Sequence, residues 1–316
     1  MAGTTVPASA SRANAGENYA GQPARRGSAG RPARASTLAV MVREEAIAVR
    51  PLLRWAGGKR WLVPIVADLL VDTEIQNYHE PFAGGAAVFF GLSINSKAYL
   101  SDLNSALIDT YRQIRDDPGE VWRFLRRYKN TAEDYYVARQ SRPRLPASRA
   151  ARFIYLNHAS FNGIYRVNLA GQYNVPYGYR DFYNPPMLTD LEEASKRLQS
   201  ATIIDGDFAA TVGNVGPGDL VFLDPPYTVA HNHNGFVKYN DKLFLFADQR
   251  RLSMMIDSIR HVGAYYILTN AAHESIAQLF EKGDRSIETS RKNAVGGRTA
   301  SRGRATEYLF TNLPER

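Results

Sequence analysis

No cysteine occurs among the 316 residues, and that one absence closes several chemical routes. It excludes a disulfide scaffold, a thiolate nucleophile, a zinc–thiolate centre and any attack on a pyrimidine carbon that runs through a cysteine. Long hydrophobic runs are missing as well. No apolar stretch approaches the ~20 residues that span a bilayer, so a soluble, intracellular protein is expected. Acid is in short supply: 31 Asp and Glu face 39 Lys and Arg, for a formal charge of +8. Such a balance suits a polyanionic partner as well as it suits an ordinary basic protein, so charge alone does not choose. Hydrophobic residues still reach 44%, enough for one large α/β domain with an insertion or for two ordinary domains.

Residues 1–45 are poor in apolar side chains and rich in Ala, Gly, Ser, Pro and Arg. Up to position 40 they hold five arginines (Arg12, Arg25, Arg26, Arg31, Arg34) and one acid, Glu17. The segment reads as disordered, since little surface is available to offset the entropy of ordering. Its composition also matches a transit peptide, and Met41 offers a second possible start.

From position 50 helical and strand patterns alternate, as in a βαβ protein. Leu62, Ile65, Val66 and Leu69 predict a helix, and so do Leu107, Ile108, Tyr111 and Ile114. Strands are expected at 97–100, 201–204, 220–223 and 264–268, with a helix over 247–261 and a closing hairpin near Ile287 and 307–310. Leu220-Val221-Phe222-Leu223 is unbroken apolar sequence, as a parallel strand buried on both faces requires. Residues 119–190 differ. Arg- and Tyr-rich helical stretches at 120–129, 132–142 and 149–156 lead into a Gly/Asn/Tyr-rich loop over 157–186.

Two segments carry chemistry. Phe82-Ala83-Gly84-Gly85 lies between a strand and a helix, where glycine lets a ligand approach the backbone. The pattern is not G-x-G-x-x-G, which argues against a dinucleotide pyrophosphate. Asp102 follows Gly84 by 18 residues at the end of the next strand, placed either to accept two ribose hydroxyls or to cap the following helix. Asp224-Pro225-Pro226-Tyr227 follows the buried strand, and ligands of open α/β sheets bind at that end. The prolines hold the chain extended and leave carbonyls free. Asp224 and the Pro225 carbonyl can accept the N–H groups of a conjugated amine, pulling its nitrogen toward tetrahedral geometry and stabilising the charge that grows on it. Tyr227 can stack on the ring that bears the amine.

Four segments in order resemble the Dam-type (D12 class, α-group) DNA adenine-N6 methyltransferases. They are Arg54-Trp55-Ala56-Gly57-Gly58-Lys59, Glu80-Pro81-Phe82-Ala83-Gly84-Gly85, Ser101-Asp102-Leu103-Asn104 and Asp224-Pro225-Pro226-Tyr227. Residues 157–178 are similar to that family's DNA-recognition segment, and the resemblance runs over about 51–313. It implies a Rossmann-like S-adenosylmethionine-dependent methyltransferase sheet over 46–118 and 191–316, with a mainly helical DNA-recognition insertion over 119–190. It implies S-adenosyl-L-methionine as cofactor, contacted by Trp55, Lys59, Phe82, Gly84, Asp102, Asp207, Phe208 and Asp224, and Asp224, Pro225, Pro226 and Tyr227 as the catalytic residues. Ala86 departs slightly from the pattern, standing where Gly or Ser often follows.

The implied partner is double-stranded DNA, with the target adenine flipped out of the stack. Phe161, Asn162, Ile164, Arg166 and Pro176 match the positions used around a GAT-containing site such as GATC. Arg166 suits a guanine edge and Phe161, Ile164 and Tyr165 suit stacking, whereas Phe153 and Tyr155 read as core. Arg123, Arg126, Arg127 and Lys129 predict a basic helix face along phosphates, with a second basic stretch over 285–304. His231-Asn232-His233-Asn234-Gly235 lacks the acids of a metal site and reads as a loop that closes over the base; no metal is expected. The resemblance further implies a cytoplasmic, bacterial or phage-like protein associated with the nucleoid, for which a monomer suffices.

Overall fold

A computed structural model describes residues 49–179, 183–227, 244–292 and 304–315, all within one compact unit, Ala39–Arg316. The expectations for 1–45 and for His231–Gly235 lie outside the described residues.

Seven strands form one sheet in the order β3-β2-β1-β4-β5-β7-β6. They are β1 (Tyr78–Glu80), β2 (Ala98–Asp102), β3 (Ala201–Asp205), β4 (Leu220–Leu223), β5 (Tyr265–Ala271), β6 (Arg285–Lys292) and β7 (Arg304–Thr311). The first five are mutually parallel, and β7 inserts antiparallel between β5 and β6. All four residues of β4 are buried, as its apolar run demands. Because β1 and β4 are central neighbours and parallel, their carboxyl ends open on the same edge of the sheet. The closing hairpin is confirmed and longer than expected.

Nine helices accompany these strands among the described residues: α1 (Val63–Leu69), α2 (Ala87–Gly91), α3 (Ser105–Asp116), α4 (Pro118–Leu125), α5 (Ala132–Gln140), α6 (Pro146–Ala159), α7 (Leu188–Leu198), α8 (Phe246–His261) and α9 (Glu274–Phe280). Leu107, Ile108, Tyr111 and Ile114 are all buried on α3, as their spacing predicts. Asn104 caps this helix by accepting from the Leu107 N–H at 3.2 Å. Helix α4 ends at Leu125, where bonds of the i→i+3 type tighten the last turn at Arg127 and Tyr128. The expected basic helix face therefore retains only Arg123, which pairs with Glu120. Arg126, Arg127 and Lys129 lie beyond the helix.

Helices α4, α5 and α6 bury Val121, Leu125, Tyr135, Ile154 and Tyr155 in the same hydrophobic cluster that holds Leu100 and Phe222 of the sheet. Phe153 and Tyr155 are core residues, as expected. Past α6 the chain forms a short hairpin rather than an open loop. Ser160 bridges Tyr177 and Val167 bridges Tyr173, while the Phe161 N–H donates to the Pro176 carbonyl at 2.9 Å.

Buried Asn157 ties this region to the start of the fold. Its Oδ1 accepts from the Arg54 N–H at 2.8 Å, and its Nδ2 donates to the carbonyls of Arg54 (2.7 Å) and Gly163 (3.2 Å). Asn157→Ala orphans both backbone groups of Arg54 and should cost about 2–4 kcal/mol in urea-unfolding measurements. A loss below ~1 kcal/mol would show that the tie is not structural.

Candidate active site

The loop after β1 turns on two left-handed residues, Gly84 (φ 46°) and Ala86 (φ 47°). For Ala86 that backbone costs about 1–2 kcal/mol that a glycine would avoid. Gly84 is required on space as well: a Cβ would lie 2.7 Å from the Trp55 indole nitrogen. Asp102, at the end of β2, clamps the loop. Its Oδ2 accepts from the Gly84 N–H and its Oδ1 from the Asn104 N–H, both at 2.9 Å. Burial raises the Asp102 pKa, and these two N–H donors oppose the rise. Since Asn104 is the helix cap, Asp102 is left to the loop.

Beside the loop stands an aromatic cluster. Phe82 stacks on Phe208 at 5.1 Å between centroids and meets Phe244 edge-on at 5.7 Å. Asp207 caps the 3-10 helix Phe208–Asn214 through the Ala209 N–H and pairs with Arg251 at 2.6 Å. Arg251 also lies over the Phe208 ring, so the segment is a built element and not a simple turn.

Asp224 begins where β4 ends. Its Oδ1 receives the Lys59 ammonium at 2.8 Å and the Thr269 hydroxyl at 2.8 Å. Lys59 is 3% exposed; it also donates to the Gly57 carbonyl and lies 3.8 Å from the Glu307 carboxylate. Tyr227 donates its hydroxyl to Glu307 at 2.8 Å, and the Lys59 ammonium sits 5.0 Å from the centre of the Tyr227 ring. Burial raises the Asp224 pKa; Lys59 and Thr269 pull it back down, and the Glu307 charge pushes it up. Lys59, expected at the cofactor, bonds to Asp224, a residue expected both there and in catalysis.

Glu80 lies beneath both halves. Its Oε2 accepts from the Tyr78 hydroxyl (2.8 Å) and the Phe89 N–H (3.2 Å). Burial, added to the charges of Asp224 and Asp102, raises its pKa to about 8.

The expected DNA-facing residues share one short segment. Phe161, Asn162, Arg166 and Pro176 are exposed and Ile164 is half-buried. Asn162 takes φ 56° ahead of Gly163 at 65°. Arg166 Nε donates to Asn174 Oδ1 at 2.7 Å. Trp55 stacks on Tyr165 (5.9 Å, 17°), so one indole joins the glycine loop to the recognition segment. Thr269 and Glu307 escaped sequence reasoning. Each shares its strand with other polar residues, Asn270 in β5 and Arg304, Thr306 and Thr311 in β7, so neither stands out in the sequence.

A family model described as D12 class N6 adenine-specific DNA methyltransferase matches residues 55–294, about three-quarters of the chain. The chain belongs to this family. A type II methyltransferase of Lactococcus lactis subsp. cremoris, M1.LlaDCHI, is 34% identical over 286 residues, covering 86% of this chain and 98% of its own. The DNA adenine methylase of Escherichia coli strain K12 is 31% identical, over 67% of this chain and 78% of its own. The DNA N-6-adenine-methyltransferase of Escherichia phage P1 is 32% identical over 82% of this chain, which spans only 35% of that protein. The fold, adenine-specific methyltransferase activity and the relation to type II methyltransferases all agree with the motifs. No helix among the described residues is long and apolar enough to cross a membrane.

In this D12 enzyme Glu80 holds its proton when folded up to about pH 8 and loses it near the ordinary carboxylate range when unfolded. That contribution is complete at acid pH and is lost as pH rises toward 8. Glu80→Gln keeps an acceptor and cannot ionise. Its stability relative to wild type should therefore rise between about pH 5 and about pH 8.5 in urea titrations. A constant difference would refute the buried proton.

Proposed function

We propose that the enzyme methylates N6 of an adenine flipped out of duplex DNA, using S-adenosyl-L-methionine, at a GAT-containing site such as GATC. The observation that carries this reading is Asp224, fixed at the carboxyl end of β4 by Lys59 and Thr269.

The residues present fit the cofactor. Gly84 is buried, with its N–H on Asp102 and its carbonyl on Tyr111, and fixes the loop, while each Asp102 oxygen keeps a lone pair for a ribose hydroxyl after accepting one N–H. Phe82 and Phe208 supply apolar surface for the adenine ring, with Trp55, Lys59 and Asp207 at its borders. When bound, S-adenosylmethionine supplies an electrophilic methyl on a positively charged sulfur.

The protein's share is positioning and charge. Burial raises the Asp224 pKa, and Lys59 and Thr269 oppose that rise, favouring the carboxylate. The Asp224 carboxylate and the Pro225 carbonyl accept the N–H groups of the flipped base, and Tyr227 stacks on its ring. Charge developing on the nitrogen then meets a preorganised carboxylate.

Residues 119–190 serve as the DNA-recognition region in this reading. Arg166 spends one N–H on Asn174 and keeps others for a guanine edge. A cavity of about 790 Å³ beside the hairpin is lined by Arg139, Arg142, Arg149 and Arg152. Arg139, Arg149 and Arg152 donate to backbone carbonyls, and among the described residues none of the four forms an ion pair, which leaves their remaining N–H groups for phosphates.

The test is transfer of label from methyl-tritiated S-adenosylmethionine to plasmid DNA, followed by nucleoside analysis. Label should appear in N6-methyladenine, and Asp224→Ala should abolish it while retaining DNA affinity. Label in N4-methylcytosine, or none, sinks the reading. Thr269→Val removes a hydrogen bond that lowers the Asp224 pKa, with Lys59, Glu307 and Glu80 unchanged around it. The acidic limb of its rate–pH profile should move to higher pH; an unmoved limb would show that Asp224 does not govern it.

A further inference from the structure

We propose that Glu307 is a positioning residue for methyl transfer: its carboxylate fixes the Tyr227 ring by the phenol hydroxyl and retains Lys59 beside Asp224. The proposal rests on the function just described and adds a group from the last strand of the chain.

Three observations carry it. First, Glu307 is 3% exposed in β7, between Ala271 of β5 and Thr289 of β6. A carboxylate there carries a desolvation cost that an apolar residue would avoid. Second, its Oε2 accepts the Tyr227 hydroxyl at 2.8 Å. Tyr227 is thereby held at both ends, by the Pro-Pro backbone and by its phenol oxygen, which fixes the plane the target base must meet. Third, Lys59 lies 2.8 Å from Asp224 and 3.8 Å from Glu307. The longer distance exceeds a hydrogen bond, so Glu307 is a second counter-ion within reach. When the base amine occupies a lone pair of Asp224, Lys59 keeps a partner. Among the described residues, two carboxylates face one ammonium where the reacting nitrogen becomes positive.

The experiment is single-turnover methylation of a synthetic GATC duplex with methyl-tritiated S-adenosylmethionine, alongside donor affinity, duplex affinity and thermal unfolding. Glu307→Ala should slow the chemical step on the order of thirtyfold, with both affinities within about threefold of wild type. Glu307→Gln, which keeps an acceptor for Tyr227 but not the charge, should recover part of that rate. Tyr227→Phe should slow the wild type yet cost less than about twofold more in Glu307→Ala, because the Glu307 acceptor of its hydroxyl is already gone.

Full rate in Glu307→Ala overturns the proposal. So does a rate loss matched by equal losses of affinity and thermal stability, or a fully additive Tyr227→Phe effect. A wild-type chain that labels no adenine overturns the functional reading and this proposal together. An active wild type with an unimpaired Glu307→Ala overturns this proposal alone.

Discussion

The buried pair of Lys59 and Asp224 is the constraint on which the rest of the site depends. Taking a carboxylate out of water costs several kcal/mol unless charge and hydrogen bonds replace the lost hydration. Asp224 gains both, from an ammonium that precedes α1 and a hydroxyl on β5. Neither donor is near it in the chain, so the pair forms only when the amino-terminal segment lies across the carboxyl edge of the sheet. The parallel pairing of β1 with β4 and of β4 with β5 creates that edge. Fold and chemistry therefore meet in one interaction.

Trp55 extends the same logic outward. Its indole rests on the bare backbone of Gly84 and on the ring of Tyr165. Four residues further on, Lys59 reaches the catalytic motif. One short stretch thus touches the glycine loop, the recognition segment and Asp224, and Asn157 pins its backbone at Arg54. Trp55 and Asn157 are thus the contacts by which the hairpin after α6 meets the glycine loop and the segment that carries Lys59.

Much of this was legible in the sequence where the signal is local. The apolar run of β4, the one-sided spacing on α3 and the glycine loop each follow from short-range patterning. The motifs in their order already carry the resemblance to the family. Choices that depend on geometry were not legible. Asp102 could have capped α3, and only the structure shows Asn104 in that role. The basic face over 120–129 broke at Leu125, because a tightened turn is invisible to residue spacing. Helices α7 and α9 were not read at all. Thr269 and Glu307 stand 45 and 80 residues from their partners, beyond the reach of any local pattern.

The antiparallel insertion of β7 has a consequence for how the site holds together. The groups gathered at Asp224 are brought in from far along the chain: Lys59 from before α1, Thr269 from β5 and Glu307 from β7. That arrangement exists only while β7 is docked between β5 and β6, so loss of the edge pairing and loss of the arrangement are one event.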